Sequence, residues 1–263
     1  MRWQRALVTG ASAGIGEGFA RRLARTGCDL VLVARRSDAL ESLAEDLRNE
    51  HRVDVEVLTA DLTVEPEVER VEARLKAERS AIDLLVNNAG GSDGNGRGPF
   101  VDQSFEILHG QALLNAIAVM RLTHAAVRAM CERGQGHVIQ VSAGTAFYPV
   151  PHGAVYGASK AFVNSFSEAV AHELRGTGVA ITTVCPGFTR TDAPRRIGFS
   201  ETNIPSWWWA DPDEVVEAAL EGASQGKVIV SPKVVNRLNA VFGRVFRRTM
   251  MKMSARVTAS DPG

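Results

Sequence analysis

Short apolar runs alternate along most of the chain with longer segments in which apolar and polar residues are mixed. The runs are rich in Val, Leu, Ile and Ala, which is typical of strands buried on both faces of a parallel sheet. The predicted strands are residues 6–9, 30–34, 53–59, 84–87, 137–142, 180–185 and 228–231. After a first amphipathic helix, with Ile15, Phe19, Leu23 and Ala24 on one side, the predicted helices are 38–48, 66–78, 106–132, 155–175 and 212–224. This alternation predicts an α/β fold with a doubly wound parallel sheet, the Rossmann fold, in a single domain.

A glycine-rich loop follows the first predicted strand and opens the first predicted helix. It reads Gly10-Ala11-Ser12-Ala13-Gly14-Ile15-Gly16. Glycines in this position let the backbone approach a pyrophosphate, which binds to free N–H groups at the positive end of the helix dipole. A plain glycine turn is the alternative. Because a second strand follows the helix, the sequence predicts a βαβ nucleotide-binding unit.

Tyr156 and Lys160 lie one helical turn apart in a segment without proline, so their side chains are predicted to share one helix face. A free tyrosine has a pKa of about 10, and a cation within a few ångströms lowers that pKa. The pair is therefore a candidate acid/base device for a substrate oxygen. An ordinary surface pair at the same spacing is the alternative.

Together these motifs resemble those of the short-chain dehydrogenases/reductases. The resemblance spans roughly residues 4–231, and its anchors follow in the family's order. They are Gly10, Gly14, Gly16, Asp61-Leu62, Asn87-Asn88-Ala89-Gly90, Asn115, Ser142, Tyr156, Lys160 and Pro186-Gly187. The resemblance implies a dinucleotide-binding and catalytic domain at residues 1–231, a ketone/alcohol oxidoreductase activity, and a homodimer or homotetramer.

The resemblance also implies four catalytic side chains. In the reduction direction Tyr156 would give a proton to the carbonyl oxygen that receives the hydride. Lys160 would lower the phenol pKa and hold the nicotinamide ribose. Ser142 would donate a hydrogen bond to the substrate oxygen as negative charge develops there, and Asn115 would hold a water in a proton relay through Lys160. The only other tyrosine, Tyr148, has no lysine four residues later and is not a competing acid.

The cofactor is expected to be NADP(H) rather than NAD(H). NAD-selective sites place a carboxylate after the second strand to bind the ribose 2′-hydroxyl, whereas this chain has Arg35 and Arg36 there and no acid before Asp38. A guanidinium and a phosphate form a strong charge-assisted pair. Ala13 departs from the basic residue that many NADP-binding relatives carry in the glycine loop. Solvated arginines at a helix start are the alternative.

The remaining cofactor contacts are those that the resemblance implies. Asp61 would cap the adenine amine, Asn87 would support the adenosine, and Thr189 and Thr191 would contact the carboxamide and phosphate groups. The full expected set, besides Arg35 and Arg36, is Gly10, Ser12, Ala13, Gly14, Ile15, Gly16, Asp61, Leu62, Asn87, Asn88, Ala89, Gly90, Tyr156, Lys160, Pro186, Gly187, Thr189 and Thr191.

Composition excludes several classes of protein. The three cysteines are far apart and odd in number, which favours reduced thiols in the cytoplasm over a disulfide framework. The six histidines have no metal-ligand spacing, so no metal site is expected. The first strand begins at once, leaving no room for a signal peptide, and no apolar run reaches the length of a membrane span. A nucleic-acid partner is not expected, since no aromatic or arginine-rich binding motif is present.

The segment after Pro186-Gly187, residues 188–211, is expected to close over the substrate. It contains the run Trp207-Trp208-Trp209, whose neighbouring side chains cannot all point one way. The run is either a lid or a protein contact. Further apolar residues are expected on the opposite wall: Phe147, Pro149, Val150 and Pro151. A hydrophobic carbonyl or alcohol (3-oxoacyl, steroid-like or another lipid) is therefore expected in preference to a sugar.

The C-terminal segment, residues 232–263, is predicted to be a basic helical tail. No acidic residue lies between Glu221 and Asp261, whereas eight basic residues do. Apolar residues recur at helical spacing at Val235, Leu238, Val241, Phe242, Val245, Phe246, Met250 and Met253. Packing on the domain or on a partner subunit is expected, and a peripheral contact with anionic lipid is the alternative.

Two other functional classes share some of these motifs. A catalytically idle nucleotide-binding scaffold or sensor would not need the complete set of Ser142, Tyr156, Lys160 and Asn115. A nucleotide-sugar epimerase or dehydratase shares the Tyr/Lys pair, but the glycine spacing and the short chain argue against it. The sequence therefore predicts an active oxidoreductase.

Overall fold

The computed structural model describes residues 3–91, 98–191 and 205–233, and in the C-terminal segment residues 242, 245–246 and 248–252. Within this part of the chain one sheet contains seven parallel strands. They are β1 (Arg5–Thr9), β2 (Asp29–Ala34), β3 (Val55–Thr59), β4 (Leu84–Asn87), β5 (Gly136–Val141), β6 (Val179–Val184) and β7 (Ile229–Val230). Their order across the sheet is β3-β2-β1-β4-β5-β6-β7. This order confirms the doubly wound α/β class.

Helices cover both faces of the sheet. They are α1 (Gly14–Ala24), α2 (Ser37–His51), α3 (Glu65–Lys76), α4 (Phe105–Ala112), α5 (Ala118–Arg133), α6 (Ala154–Glu173) and α7 (Pro212–Ser224). One apolar core joins the sheet to α1, α2 and α7 through side chains such as Phe19, Leu40 and Val216. A second joins the opposite face to α3 and α5 through Val71 and Leu122. The strands are consequently buried on both sides, as their continuous apolar character requires.

One predicted helix is interrupted. Residues 106–132 were expected to form a single helix, but a π-helical turn, Leu113–Ile117, separates α4 from α5. Asn115 lies at the centre of this turn and is fully buried. Its side chain donates to the carbonyl oxygen of Gln111 and also binds backbone outside the helix. The π turn accommodates this inserted side chain, a local feature that apolar spacing does not report.

The sheet order creates a crevice at the carboxyl ends of the central strands. The chain runs outward in opposite directions from β1, since β2 lies on one side of it and β4 on the other. In such sheets ligands bind where the strand order reverses. The glycine loop after β1 and the loop after β4 therefore lie side by side, with the loop after β5 next to them.

None of the helices in the described part of the chain combines the length and the apolar character that a membrane span requires. Most of the predicted basic tail lies outside the described residues, as do residues 192–204 of the segment expected to close over the substrate.

Candidate active site

The glycine loop is held against the loop that follows β4. The side-chain amide of Asn88 donates to the carbonyl oxygens of Thr9 at 3.0 Å and Gly10 at 3.2 Å. A Cβ on Gly16 would lie only 2.2 Å from the oxygen of Gly10, so a side chain there is incompatible with this packing. Gly10 has a φ of +65°, which favours glycine. The loop is thus fixed in a tight conformation that leaves its backbone open to a ligand.

The N-terminus of α1 faces this crevice without a side-chain cap. Its N-cap residue, Ala13, makes no side-chain hydrogen bond to the helix. The first N–H groups of a helix have no partner within the helix, and they carry the positive end of its dipole. A pyrophosphate can therefore be bound here by backbone groups. Ile15, just inside the helix, packs instead against the apolar core.

Two arginines border the outer end of this crevice. A guanidinium nitrogen (Nη2) of Arg36 donates to the carbonyl oxygen of Ser12 at 2.8 Å. Arg35 is two-thirds exposed, and its Nη1 lies 3.8 Å from a carboxylate oxygen of Asp61. The exposed guanidinium groups leave donors available for an anion beside Ser12. Asp61 accepts two hydrogen bonds from Thr63, which fix its carboxylate, and Leu62 is buried.

The two neighbouring asparagines after β4 have different surroundings. Asn87 is buried, and its amide nitrogen donates to the hydroxyl oxygen of Thr123 at 3.1 Å within the layer beneath the sheet. Asn88 reaches the glycine loop, and Ala89 packs against the second core. Support of the cofactor by Asn87 stays a prediction, because its amide donor is engaged with α5.

Thr9 has a structural role that the sequence analysis did not predict. Its hydroxyl oxygen accepts hydrogen bonds from the backbone N–H groups of Asn88 and Ala89, both at 3.0 Å, and it donates to the carbonyl oxygen of Val86 at 3.2 Å. These bonds join the ends of β1 and β4. The available signal was a polar residue that ends an apolar strand directly before the glycine loop.

Tyr156 and Lys160 lie in the first two turns of α6, beside the end of β5. The Lys160 ammonium (Nζ) is 5.9 Å from the centroid of the Tyr156 ring and donates to the carbonyl oxygen of Val141 at 2.8 Å. Ser142 is buried next to them, and its hydroxyl donates to the carbonyl oxygen of Lys160 at 3.1 Å. Three of the four predicted catalytic side chains are thus grouped around the junction of β5 and α6.

The expected direction of the Tyr156 pKa shift is wrong. Burial raises the pKa of Tyr156 to about 12 and lowers the pKa of Lys160 to about 8. Desolvation disfavours both charged forms, and the ammonium is directed to Val141 rather than held against the phenol oxygen. A phenol with this pKa is fully protonated near neutral pH. It is therefore in the form that can donate a proton.

Asn115 connects the π turn to the loop after β4. Its side-chain oxygen accepts from the N–H of Gly91 at 2.9 Å, and its amide donates to the carbonyl oxygens of Gly91 at 3.0 Å and Gln111 at 2.9 Å. A Cβ on Gly90 would lie 2.7 Å from the Asn115 side-chain oxygen and 3.3 Å from Lys160 Nζ. The Asn115 and Lys160 side chains therefore converge on Gly90, while a water relay through Asn115 stays a prediction.

The segment after β6 borders the site on its other side. The carbonyl oxygen of Pro186 accepts from the N–H of Gly144 at 2.6 Å, which joins this segment to the turn after Ser142. Thr189 is buried and pairs with Ala210 in a short parallel bridge. A Cβ on Gly14 would lie 3.0 Å from a methyl carbon of Thr191, so Thr191 reaches the glycine loop.

The three tryptophans divide between core and surface. Trp209 is only 2% exposed, and its ring centroid lies 5.4 Å from that of Phe188. Trp207 is 62% exposed and meets Trp208 edge to face. Trp209 therefore packs in the core, and only Trp207 and Trp208 are placed to contact a ligand or a partner. Phe147, expected on the opposite wall, is buried in the turn after β5.

Comparison with known proteins gives a consistent result. A family model for the short chain dehydrogenases matches residues 4–201. A putative ketoacyl reductase of Streptomyces coelicolor is 31% identical over 249 residues, covering 88% of this chain and 94% of the relative.

Two solved structures are similar over nearly the whole chain. A short-chain dehydrogenase from Sphingobium yanoikuyae in complex with NADPH has a TM-score of 0.82 and 37% identity, covering 94% of this chain and 95% of that one. A bulky-bulky ketone specific alcohol dehydrogenase from Comamonas testosteroni has a TM-score of 0.80 and 33% identity, covering 96% and 95%. These similarities extend well beyond the glycine loop and include the segments that carry Ser142, Asn115 and the Tyr156/Lys160 pair.

Proposed function

The chain belongs to the short-chain dehydrogenase family and is an oxidoreductase that acts on CH–OH groups. We propose that it uses NADP(H) to interconvert a bulky, hydrophobic ketone and its secondary alcohol. The observation that carries this proposal is the grouping of Ser142, Tyr156 and Lys160 after β5, at the same carboxyl-end edge of the sheet as the glycine loop after β1. This edge is where α/β sheets bind dinucleotides.

The residues around the glycine loop fit a phosphorylated dinucleotide. The uncapped N-terminus of α1 suits the pyrophosphate, and the absence of a side chain at Gly16 keeps the loop closed against Asn88. Arg35 and Arg36 are positioned for a 2′-phosphate beside Ser12. The relative from Sphingobium yanoikuyae contains NADPH, which supports the same cofactor here. When bound, the nicotinamide supplies or accepts the hydride.

We assign the proton transfer to the substrate oxygen to the hydroxyl group of Tyr156. In reduction its hydroxyl proton moves to the carbonyl oxygen of the substrate as the carbonyl carbon receives the hydride, and the product is a secondary alcohol. Ser142 donates a hydrogen bond to the same oxygen, which stabilises the negative charge that develops there. The Ser142 hydroxyl also donates to the carbonyl oxygen of Lys160 at 3.1 Å, which holds Ser142 against α6 beside Tyr156.

Lys160 is assigned an electrostatic part. Its buried ammonium lies beside Tyr156 and can stabilise the phenolate left after proton transfer. Asn115 binds the backbone of Gly91, next to Gly90, where a Cβ would lie 3.3 Å from this ammonium. We propose that Asn115 positions the water through which Lys160 is linked to solvent. Chemistry on a ketone therefore requires no metal in this proposal.

A bulky apolar substrate fits the surroundings of Tyr156 better than a sugar. Phe147 and Tyr148 follow Ser142 on one wall, where Phe147 is buried and Tyr148 is half-buried. On the other side Trp207 presents a largely exposed indole. The relatives that act on ketoacyl groups and on bulky ketones support the same substrate class for this chain. We further propose residues 1–231 as the catalytic domain of a homodimer or homotetramer.

A kinetic panel tests the proposed function. The purified protein should consume NADPH with bulky ketones and 3-oxoacyl thioesters, with kcat/KM well above the values for small polar ketones and keto sugars. NADH should be the poorer donor. A protein that binds NADPH but consumes none with any carbonyl would instead be a nucleotide-binding scaffold, and a preference for nucleotide sugars would point to an epimerase or dehydratase.

The pH dependence tests the part assigned to Lys160. Its pKa is lowered to about 8, so the ammonium is present below that pH and is lost above it. The ratio kcat/KM reports ionisations of the free enzyme. We expect kcat/KM for NADPH to be level below pH 8 and to fall above it, towards about tenfold per pH unit.

A matched variant identifies the titrating group. In Lys160→Arg the guanidinium stays protonated throughout the pH range of the assay. The decline near pH 8 should then disappear even if turnover is lower at every pH. An unchanged decline in this variant would assign the ionisation to another residue and contradict the part given to Lys160.

A further inference from the structure

The C-terminal segment differs from the rest of the chain in charge. Eight basic residues and no acidic one lie between Glu221 and Asp261, whereas the whole chain has a formal charge of zero. The residues outside 222–260 therefore carry a net charge of −8. An attraction of the whole protein to anionic surfaces is not expected, so any such attraction must come from this segment.

Apolar side chains of this segment are exposed in the single chain. Phe242 is 50% exposed, Val245 66% and Phe246 53%, and the two phenylalanine rings stack with centroids 5.7 Å apart. The N–H of Phe246 donates to the carbonyl oxygen of Phe242, and that of Met250 donates to the oxygen of Phe246. These are the i to i−4 bonds of a helix, so the three exposed side chains share one face.

Basic side chains flank this apolar face. Arg248 and Lys252 are both exposed and lie one helical turn apart. The arrangement of exposed Phe and Val beside exposed Arg and Lys is that of helices that lie in a membrane interface, with the apolar face in the acyl boundary and the cations at the headgroups. Phe242, Val245 and Phe246 each keep half or more of their surface exposed, so the rest of the chain leaves this face accessible to a binding partner.

The segment begins next to the substrate side of the fold. The ammonium of Lys233 donates to the carbonyl oxygen of Trp209 at 2.6 Å and lies 3.4 Å from a carboxylate oxygen of Glu214. Trp209 is the last residue of the run Trp207–Trp209, in which the side chain of Trp207 is exposed. Indole rings are favoured at the level of the lipid headgroups. Lys233 therefore anchors the start of the C-terminal segment to the run that contains the exposed Trp207.

We propose that the C-terminal segment binds the surface of an anionic phospholipid membrane. The segment inserts Phe242, Val245 and Phe246 at the headgroup boundary while its cations bind the anionic headgroups. If the proposed function holds, its apolar ketones also partition into the bilayer, so the protein and its substrate would meet at the same surface. A second copy of the chain is the competing occupant of the same face.

Vesicle co-sedimentation of the full chain tests the proposal. The protein should sediment with vesicles of phosphatidylcholine and phosphatidylglycerol and should stay in solution with phosphatidylcholine alone. Binding should weaken from low to physiological salt, since screening shortens the reach of the cations. Arg248→Glu with Lys252→Glu should lower the partition coefficient by roughly tenfold or more. Phe242→Ser with Phe246→Ser should lower it at both salt concentrations, because the apolar contact is not screened.

A charge-matched control separates a local site from a general effect of net charge. Arg79→Glu with Arg175→Glu makes the same charge change at exposed positions of the catalytic domain and should leave vesicle binding unchanged. Equal losses in both charge variants, equal binding to neutral vesicles, or no binding at all would overturn the proposal. So would conversion of an oligomer to a monomer by the Phe242/Phe246 variant in lipid-free sedimentation velocity, which would identify a contact between copies.

Activity on a water-soluble ketone distinguishes this inference from the proposed function. All four tail substitutions lie far in sequence from the catalytic side chains, so kcat without vesicles should be unchanged in every variant. Full activity without vesicle binding would contradict the membrane contact alone. Vesicle binding without activity on any ketone would contradict the proposed function alone.

Discussion

Replacing Tyr156 with Phe is expected to lower kcat for ketone reduction by about 10² to 10⁴, which corresponds to about 3 to 5 kcal/mol of transition-state stabilisation. The substitution removes only the hydroxyl, and burial keeps that hydroxyl protonated near neutral pH. The ring stays beside the Lys160 ammonium. Binding of NADPH, measured by fluorescence titration, should therefore change little.

Tyr148 provides the matched control. It is the only other tyrosine in the chain, it directly follows the turn Gly144–Phe147 after Ser142, and burial also raises its pKa. Tyr148→Phe should retain most of the turnover, because this phenol has no lysine one turn away. Comparable losses in the two variants, or near-normal reduction by Tyr156→Phe, would remove Tyr156 from the part of proton donor.

Removing the arginine pair is expected to have the second largest effect. Arg35→Ala with Arg36→Ala should raise the KM for NADPH by about tenfold or more, because a hydrogen bond to a charged group contributes about 1.5 to 3 kcal/mol. NADH has no 2′-phosphate, so its KM should change much less. The KM for NADH in the same variant, measured at saturating ketone, is therefore the control for the change in the KM for NADPH.

The single variants divide the effect between the two guanidinium groups. Arg35 makes no described contact with the glycine loop and is paired only loosely with Asp61, so Arg35→Ala should affect NADPH far more than NADH. Arg36 also donates to Ser12 in the glycine loop, so Arg36→Ala should weaken NADH binding as well. An equal loss for both donors in Arg35→Ala, or a wild-type protein that prefers NADH, would contradict the assignment of a 2′-phosphate site.

Apolar patterning predicted the sheet well, because strands buried on both faces must be apolar throughout. The predicted strand at 30–34 corresponds to β2, and the predicted helix at 212–224 coincides with α7, where Asp211 and Glu214 form a capping box. The interruption of the helix at Leu113–Ile117 was not predictable in this way. It depends on hydrogen bonds between Asn115 and Gly91, which are distant in sequence.

The candidate site was predictable in its residues more than in its energetics. The spacing of Tyr156 and Lys160 placed both on one helix, yet the direction of the phenol pKa shift depends on burial and on where the ammonium points, neither of which is encoded locally. Two consecutive residues also have different hydrogen-bond partners. Asn87 donates to Thr123 of α5, whereas Asn88 donates to the backbone at the start of the glycine loop. Trp209 lies in the core next to Ala210, which pairs with the distant Thr189, a contact that local sequence does not report.

The central claim is that this chain transfers a hydride from NADPH to a ketone carbon while Tyr156 supplies the proton. The most direct measurement follows deuterium from NADPH labelled at the transferred position into the product of a bulky ketone, by mass spectrometry. We expect one deuterium at the carbinol carbon of a single alcohol enantiomer with the wild-type protein, and almost none with Tyr156→Phe. Unlabelled alcohol, a racemic product, or label transfer that is equal in the two proteins would contradict the claim.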